Sequence, residues 1–206
     1  MAWSDICGRY IDVYFKEMDM LNIRRAHVYP RVSEHMPEII NVVQTLIDKG
    51  YAYEMDGDVY YSVEKFDRYG ELSGRKLEDM MAGARVDVND KSITRLTLRC
   101  GKPPNRANRT GKARGAKAVR LAYRMLCHEH EISGRKLDFH GGGSDLIFPH
   151  HENEIAQSEG CTGVHPFVRY WLHNGFITVN EEKMSKSLGN FFTVSDILAH
   201  FDAETL

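Results

Sequence analysis

Two lysines and two hydroxyl side chains are closely spaced in the segment Lys183–Ser187, which reads KMSKS. The segment lies between an apolar run that ends at Val179 and a turn residue, Gly189, so a loop is predicted there. Ammonium and hydroxyl groups on a mobile loop can stabilise the charge that develops on phosphate oxygens when pyrophosphate leaves. Most loops of this composition are only solvated turns. The position of Lys183–Ser187 after a predicted strand and before a capped helix favours a role in binding phosphate.

A second candidate site is the pair His150 and Glu154. The two residues are four apart in a segment predicted to be helical, so their side chains share one face. An imidazole nitrogen and a carboxylate oxygen at this spacing can bind Zn²⁺, although such a pair alone is more often a surface pair without metal. His151 is predicted to point elsewhere on the helix and to have a structural role. Gly141–Gly143 is predicted to be a loop where the backbone approaches a ligand.

The first part of the chain is predicted to contain helices and a hairpin. Arg9–Leu21 and Glu34–Lys49 have the periodicity of amphipathic helices, and Ser33 is the predicted N-cap of the second. Tyr51–Val63 consists of two Tyr- and Val-rich runs around an Asp-Gly pair, which predicts a β-hairpin. A short helix is predicted at Arg75–Ala82.

The last part of the chain is predicted to alternate strands and helices. Leu137–His140 is a predicted strand, and His150–Glu159 is a predicted helix that ends at Gly160. Val168–Val179 is predicted to be extended, and Thr193 with an acidic residue three positions later predicts the start of another helix. This alternation indicates an α/β fold with a parallel sheet, equivalent to part of a Rossmann-type domain.

Composition limits the function classes. The chain is 42% hydrophobic and 27% charged, as is usual for a soluble globular protein. It has no run of 18 apolar residues and no signal-peptide pattern at its start, so we expect no membrane association and a cytoplasmic location. Its four cysteines are scattered and contain no C-x-x-C pair, so reduced thiols are expected.

Residues 93–131 differ in charge from the rest of the chain. They contain ten basic and two acidic residues, and no acidic residue occurs between Lys91 and His128. The segment has neither helical nor strand periodicity, and Tyr123 is its only aromatic residue. A basic arm that binds nucleic acid is one interpretation, but such modules usually place aromatic residues between the basic ones. We expect the segment to be disordered.

Two motifs together resemble a known family. The segment LDFHGGGSDLIFPHHENEIAQSEG at Leu137–Gly160, followed by KMSKS, is similar to cysteinyl-tRNA synthetase, a class I aminoacyl-tRNA synthetase. The resemblance covers about Tyr10–Asp90 and Leu137–Phe201. It implies a partial Rossmann-type catalytic domain with a connective-peptide insertion. It also implies that the intact enzyme activates L-cysteine with ATP and transfers it to cysteine tRNA, as a monomer in the cytoplasm.

The resemblance also implies roles for individual residues. Lys183 and Lys186 would be catalytic, and Lys186 would contact ATP. His150 and Glu154 would join two cysteines around one Zn²⁺ that binds the substrate thiolate. The residues implied to bind ATP or the adenylate are Gly141, Gly142, Gly143, Asp145, Lys183, Met184, Ser185, Lys186 and Ser187.

The chain departs from the family pattern in three places. The family's HIGH-type ATP motif and first zinc cysteine would precede residue 1, and its C-terminal tRNA-binding domains would follow residue 206. The second zinc cysteine is replaced near Met125, and Cys127 could substitute for it only by chance. Permitted codons for Leu121–His130, read in a shifted frame, encode WHIECSAMS, which is the family's second-cysteine motif. A frame error in residues 93–131 is therefore one hypothesis, and it predicts that zinc binding is weak or absent.

These observations predict three regions. Residues 1–92 form the connective-peptide region, residues 93–136 an aberrant basic segment, and residues 137–206 the second half of the catalytic domain. The predicted function is a fragment of a cysteine–tRNA ligase that is inactive as this isolated chain. Two alternatives stay open: the related cysteine ligase of mycothiol synthesis, which uses an amino-sugar acceptor, and a basic nucleic-acid-binding module at residues 93–131.

Overall fold

The computed structural model describes residues 3–55, 58–76, 97–101 and 136–205. The chain forms two compact units, of which the first combines Met1–Tyr29 with Phe176–Leu206 and the second is Pro30–Gly175. This grouping differs from the division at residues 92 and 136 that the sequence predicts, and that division stays a prediction. The predicted helix Arg75–Ala82 lies outside the described residues from position 77 onward.

Helix α1 spans Trp3–Met20, which confirms the first predicted helix and extends it toward the N-terminus. The chain then turns back, and the Arg25 guanidinium pairs with Asp19 at 2.6 Å while it lies 4.7 Å from the centre of the Phe15 ring. The hydrogen bond from Arg25 holds the pKa of Asp19 below its usual value. Within the described residues, no helix is long and apolar enough to cross a membrane.

Helix α2 spans Met36–Asp48, which confirms the second predicted helix, and its buried residues are Ile39, Val42 and Leu46. Its predicted N-cap, Ser33, is wrong because Ser33 lies in a separate 3₁₀ turn. The helix begins at Met36, after His35, because the proline at its second position lacks an N–H and fits only in a first helical turn. The helix ends before a glycine in the left-handed region.

Strands β1, Ala52–Met55, and β2, Asp58–Ser62, confirm the predicted antiparallel hairpin. The predicted Asp56-Gly57 turn lies outside the described residues. Strand β3, Thr97–Gly101, pairs antiparallel with the other edge of β2. The expectation that residues 93–136 lack regular structure is therefore wrong for these five residues. Edge pairing needs only backbone N–H and C=O groups, so a strand can form there without an amphipathic pattern.

Strands β4, Leu137–Gly143, and β5, Val168–Asn174, pair in parallel, which agrees with the α/β class predicted from the sequence. The expectation of a loop at Gly141–Gly143 is wrong, because all three glycines continue β4 and pair with β5. Helix α3, Glu152–Thr162, connects the two strands. The expected helix end at Gly160 is also wrong, since the helix continues to Gly163, where φ is +75°.

Helix α3 is the centre of the second unit. The buried hydrophobic cluster around it consists of Val42, Leu46, Ala52, Val59, Tyr61, Val63, Phe66, Tyr69, Ala156, Cys161, Phe167 and Val168. The fully buried Tyr61 hydroxyl donates to the carbonyl of Ala156 at 2.8 Å. Gly160 allows this approach, because a Cβ there would lie 3.0 Å from the Tyr61 hydroxyl oxygen.

Buried acidic side chains of α3 bind the surrounding chain. Glu152 accepts hydrogen bonds from the backbone N–H groups of Gly70, at 2.8 Å, and Ser73, at 2.9 Å. Glu159 accepts from Arg68 at 2.6 Å, and this bond raises the pKa of the guanidinium. Both carboxylates are nearly inaccessible to solvent, so these bonds compensate for their lost hydration and fix the helix in place.

The end of the chain forms a small hairpin and a short helix. Strand β6, Thr178–Val179, pairs antiparallel with β7, Glu182–Lys183. Helix α4, Val194–Leu198, has the predicted N-terminus. The Thr193 side chain accepts from the Asp196 N–H, and the Asp196 carboxylate accepts from the Thr193 N–H, as in a capping box. The Thr193 hydroxyl also donates to the Asp196 carboxylate at 2.6 Å, and this bond together with that from the Thr193 N–H lowers the pKa of Asp196.

Candidate functional site

Three potential metal-binding side chains meet in the second unit. His140, His151 and Glu154, hereafter the histidine–carboxylate cluster, each offer one ligand atom, and these atoms all lie within 4.8 Å of one another. The His140 Nε2 lies 2.7 Å from a carboxylate oxygen of Glu154. His151 and Glu154 are almost fully buried, and His140 is partly exposed. His151 and Glu154 are therefore shielded from solvent, and His140 is the member of the cluster that solvent reaches.

The parallel pairing of β4 and β5 determines one wall of the cluster. His140 is in register with Trp171, and the alternation of side chains along β5 places His173 on the same face as Trp171. The rings of His140 and Trp171 meet nearly edge to face, with their centres 4.9 Å apart. His173 Nε2 lies 2.8 Å from His151 Nδ1, so it fixes the orientation of the His151 ring.

Gly142 provides the space that His151 occupies. A Cβ at Gly142 would lie 3.0 Å from His151 Cε1 and 3.2 Å from its Nε2. It would also lie 2.9 Å from a methyl carbon of Leu146, a distance that real Cβ atoms essentially never show. The glycine of β4 therefore permits close packing of an imidazole ring against the strand.

The structure does not bring the predicted ligand His150 into the cluster. His150 is exposed, and the group of possible ligands contains its neighbour His151; the metal-binding role of His150 and the structural role of His151 stay predictions. The prediction assumed a regular α-helix from His150 onward. Before helix α3, Ile147–His151 is an irregular turn that contains the non-helical Phe148, and the Glu152 N–H bonds to Ile147 five residues back. His151 lies three residues before Glu154 and shares a helix face with it, as a residue four positions before it also would.

The chemistry of the cluster suits a divalent metal ion. Two imidazole nitrogens and one carboxylate oxygen form the ligand set of known catalytic zinc sites, which keep one position for water or substrate. A buried carboxylate also requires a positive partner, and in the described residues Glu154 has an ion pair only with His140. A cation between these groups would supply that charge. The residues present therefore fit a metal ion.

The KMSKS loop, Lys183–Ser187, lies in the first unit. The Lys183 ammonium nitrogen is 3.4 Å from the centre of the Phe176 ring, a cation–π contact. The Ser185 and Ser187 hydroxyl oxygens are 3.1 Å apart, and the Leu188 N–H donates to Ser185 at 3.3 Å. The side chain of Lys186 lies outside the described part of the structure.

The remaining predicted ligand-binding residues lie at the end of β4. Gly141 is exposed, and its Cβ would lie 3.3 Å from the Leu172 carbonyl oxygen. A Cβ on Gly143 would lie 2.5 Å from a carboxylate oxygen of Asp145, so Gly143 allows that side chain to fold back on the strand. Gly141, Gly143 and Asp145 thus lie close together in the second unit. Their role in binding an adenylate stays a prediction.

Sequence reasoning did not assign His140 and His173 to any site. The alternation Trp171-x-His173 was a signal, because it places two rings on one face of a strand. His140 joins them only through the register of β4 with β5, which pairs residues 31 positions apart in the chain. A single sequence does not reveal such a register.

Comparison with known proteins shows extensive similarity. The family model described as "tRNA synthetases class I (C) catalytic domain" matches residues 1–206. A protein named cysteine–tRNA ligase in Pelotomaculum thermopropionicum is 55% identical over 209 residues, which are 97% of this chain and 41% of the relative.

Two further relatives have the same name. The protein of Carboxydothermus hydrogenoformans is 52% identical over 195 residues, or 94% of this chain and 42% of the relative. That of Heliobacterium modesticaldum is 49% identical over 203 residues, or 98% of this chain and 42% of the relative. The chain therefore spans about two fifths of the length of these curated relatives.

Proposed function

The chain belongs to the family of class I (C) tRNA synthetase catalytic domains, which are ligases, and we propose that it takes part in charging cysteine tRNA. The proposed reaction is the ATP-dependent activation of L-cysteine to its adenylate, followed by transfer to tRNA. The names of the relatives support the tRNA acceptor over the amino-sugar acceptor of the mycothiol enzyme. The activity of the whole protein stays a proposal because the chain corresponds to only part of those relatives.

The histidine–carboxylate cluster is the observation that carries this proposal. We propose that His140, His151 and Glu154 bind Zn²⁺ and that His173 orients His151 through their 2.8 Å contact. Bound Zn²⁺ would offer a position to a soft thiolate, which distinguishes cysteine from serine. The partly buried ring of Trp171 and the buried ring of His151, 5.0 Å apart, would exclude water from one side of the cluster. His150 with Glu154 is the competing ligand pair from the sequence.

The KMSKS loop is the proposed phosphate-binding element. Lys183 and Lys186 would supply positive charge to the triphosphate, and the hydroxyls of Ser185 and Ser187 would donate hydrogen bonds to its oxygens. The exposed position of Lys183 supports this role, because its ammonium group is held by an aromatic ring and by no described carboxylate. Met184 contributes through its backbone, because its N–H donates to the carbonyl oxygen of Ile177 at 2.9 Å and joins the loop to the hairpin.

Three further proposals concern the location, the oligomeric state and the reading frame of the chain. A cytoplasmic location and a monomeric state follow from the family resemblance. The frame error in residues 93–131, which predicts weak or absent zinc binding and so competes with the proposed metal site, is supported by the family-like reading of Leu121–His130 in a shifted frame, and the segment lies largely outside the described residues. The DNA sequence of codons 90–137 tests it directly. A gene that encodes the present residues in a verified single frame would exclude it.

The test of the proposed reaction is cysteine-dependent ATP–pyrophosphate exchange by the protein as its gene encodes it. We expect Lys186→Ala to lower the exchange rate about 100-fold, since one charge that stabilises the transition state is lost. Lys76→Ala, at an exposed lysine of the second unit, is the matched control and should leave the rate unchanged. Exchange that is independent of cysteine, or equal in the two variants, would contradict the proposal. Charging of tRNA rather than an amino sugar separates the two acceptors.

A further inference from the structure

The KMSKS loop is attached at one end to a tight hairpin. Strands β6 and β7 pair Thr178 with Lys183, and the two turn residues Asn180 and Glu181 have φ values of +52° and +67°. Two successive residues in the left-handed region are typical of a type I′ turn, which joins antiparallel strands closely. The backbone of the loop is therefore fixed as far as Lys183, and the residues after it need another constraint.

Asn190 supplies that constraint from beyond the loop. Its Oδ1 accepts from the backbone N–H of Ser185 at 2.8 Å, and its Nδ2 donates to the carbonyl oxygen of Lys183 at 3.3 Å. One amide side chain thus bonds to two backbone groups of the loop, on either side of Met184. Asn190 is partly buried, so solvent competes less for these bonds than at an exposed position.

The two bonds from Asn190 close a loop that consists of residues 183 to 190. Between Ser185 and Asn190, the Leu188 N–H donates to the Ser185 hydroxyl and Gly189 has a φ of +71°. This turn returns the chain so that Asn190 faces the residues it binds. Without the Asn190 amide, no other side chain in the described residues is recorded as bonding to the Ser185 N–H or the Lys183 carbonyl.

We propose that Asn190 is a positioning residue of the phosphate-binding site, which holds the KMSKS loop in the shape that presents its lysines and hydroxyls to a triphosphate. This inference rests on the proposed function, since it assigns Asn190 to the same ATP site. Asn190 itself acts through the loop backbone, because both of its amide atoms are used in the bonds to Ser185 and Lys183. Preorganised donors cost no rearrangement when phosphate charge develops.

Two measurements on the 206-residue protein test this role, with the variants Asn190→Ala and Asn190→Asp. The first is the amide hydrogen exchange rate of Ser185, followed by NMR. We expect roughly tenfold faster exchange in Asn190→Ala, since the Ser185 N–H loses the Asn190 oxygen that accepts its hydrogen bond. Asn190→Asp keeps an oxygen acceptor and should retain slow exchange. The control Asn41→Ala, at an exposed residue of α2, should change nothing.

The second measurement is the dissociation constant for ATP, from NMR titration of the same samples. We expect Asn190→Ala to weaken ATP binding about three- to tenfold. Unchanged Ser185 exchange in Asn190→Ala would overturn the inference, and so would faster exchange with unchanged ATP affinity. If the unmodified protein binds no ATP while Asn190→Ala still speeds Ser185 exchange, the proposed function fails and the control of loop shape by Asn190 is supported.

Discussion

The contact between Gly160 and Tyr61 provides a sharp test of how α3 is held in the second unit. Adding a methyl group with Gly160→Ala would place a carbon 3.0 Å from the Tyr61 hydroxyl and 3.4 Å from side-chain carbons of Leu46 and Tyr51. Tyr61 and Leu46 are fully buried, so they have no space into which to move. Overpacking of this kind costs about 1–3 kcal/mol. The higher helix propensity of alanine offsets about 1 kcal/mol of this.

The net expectation is a loss of roughly 0–2 kcal/mol in the free energy of unfolding. Urea denaturation followed by tryptophan fluorescence in a Trp3→Phe background measures it, because the remaining Trp171 packs in the second unit against His151. Gly8→Ala is the matched control: Gly8 lies inside α1 with no atom within 4 Å of an added Cβ. That change should be neutral or stabilise α1 by about 0.5–1 kcal/mol.

A double-mutant cycle identifies the hydroxyl as the cause. In a Tyr61→Phe background the clashing oxygen is absent, so Gly160→Ala should cost about 1 kcal/mol less than in the natural background. Tyr61→Phe alone loses its 2.8 Å bond to Ala156 and should cost about 1 kcal/mol. Equal costs of Gly160→Ala in both backgrounds would refute the reasoning about this contact.

Two further predictions concern titration and the KMSKS loop. Burial raises the pKa of Tyr69 above its usual 10, with a smaller contribution from the charge of Glu152. The unfolded chain then releases this proton at lower pH than the folded one, so stability should fall above pH 10 by up to about 1.4 kcal/mol per pH unit. Denaturation at pH 8 and pH 11 should show a weaker pH dependence in Tyr69→Phe, and an equal dependence would be inconsistent with a buried phenol. In the loop, the Phe176 ring should shift the NMR signals of the Lys183 ε-methylene group upfield, since the ammonium lies 3.4 Å from the ring centre. Phe176→Leu should abolish this shift and Phe176→Tyr should keep it, whereas a shift unaffected by Phe176→Leu would exclude the contact.

Local sequence signals predicted much of the fold. The helix of α2, the β1–β2 hairpin and the capping box at Thr193 each depend on residues close together in the chain, so periodicity and turn chemistry indicate them. The boundary errors have local causes as well. Gly160 was interpreted as a helix end, but it is required inside α3 by the packing of Tyr61, which is 99 residues away in the chain.

The candidate metal site was only half predictable. Glu154 was identified from its spacing and its family-like context, and the structure places it in the cluster. The sequence favours His150, four residues before Glu154, whereas the structure places His151, three residues before it, in the cluster. Both spacings share one helix face, so spacing alone does not choose between the two histidines. His140 enters through strand register, a tertiary property that composition and spacing do not contain.

The central claim is that the histidine–carboxylate cluster binds the metal that recognises the thiolate of cysteine. Loading the protein with Co²⁺, a spectroscopic substitute for Zn²⁺, and adding L-cysteine or L-serine tests this most directly. The account predicts one bound ion, a thiolate-to-cobalt charge-transfer band with L-cysteine alone, and loss of binding in His151→Ala and Glu154→Ala. His150→Ala should leave the spectrum intact. Failure to bind cobalt, identical spectra with both amino acids, or dependence on His150 rather than His151 would contradict it.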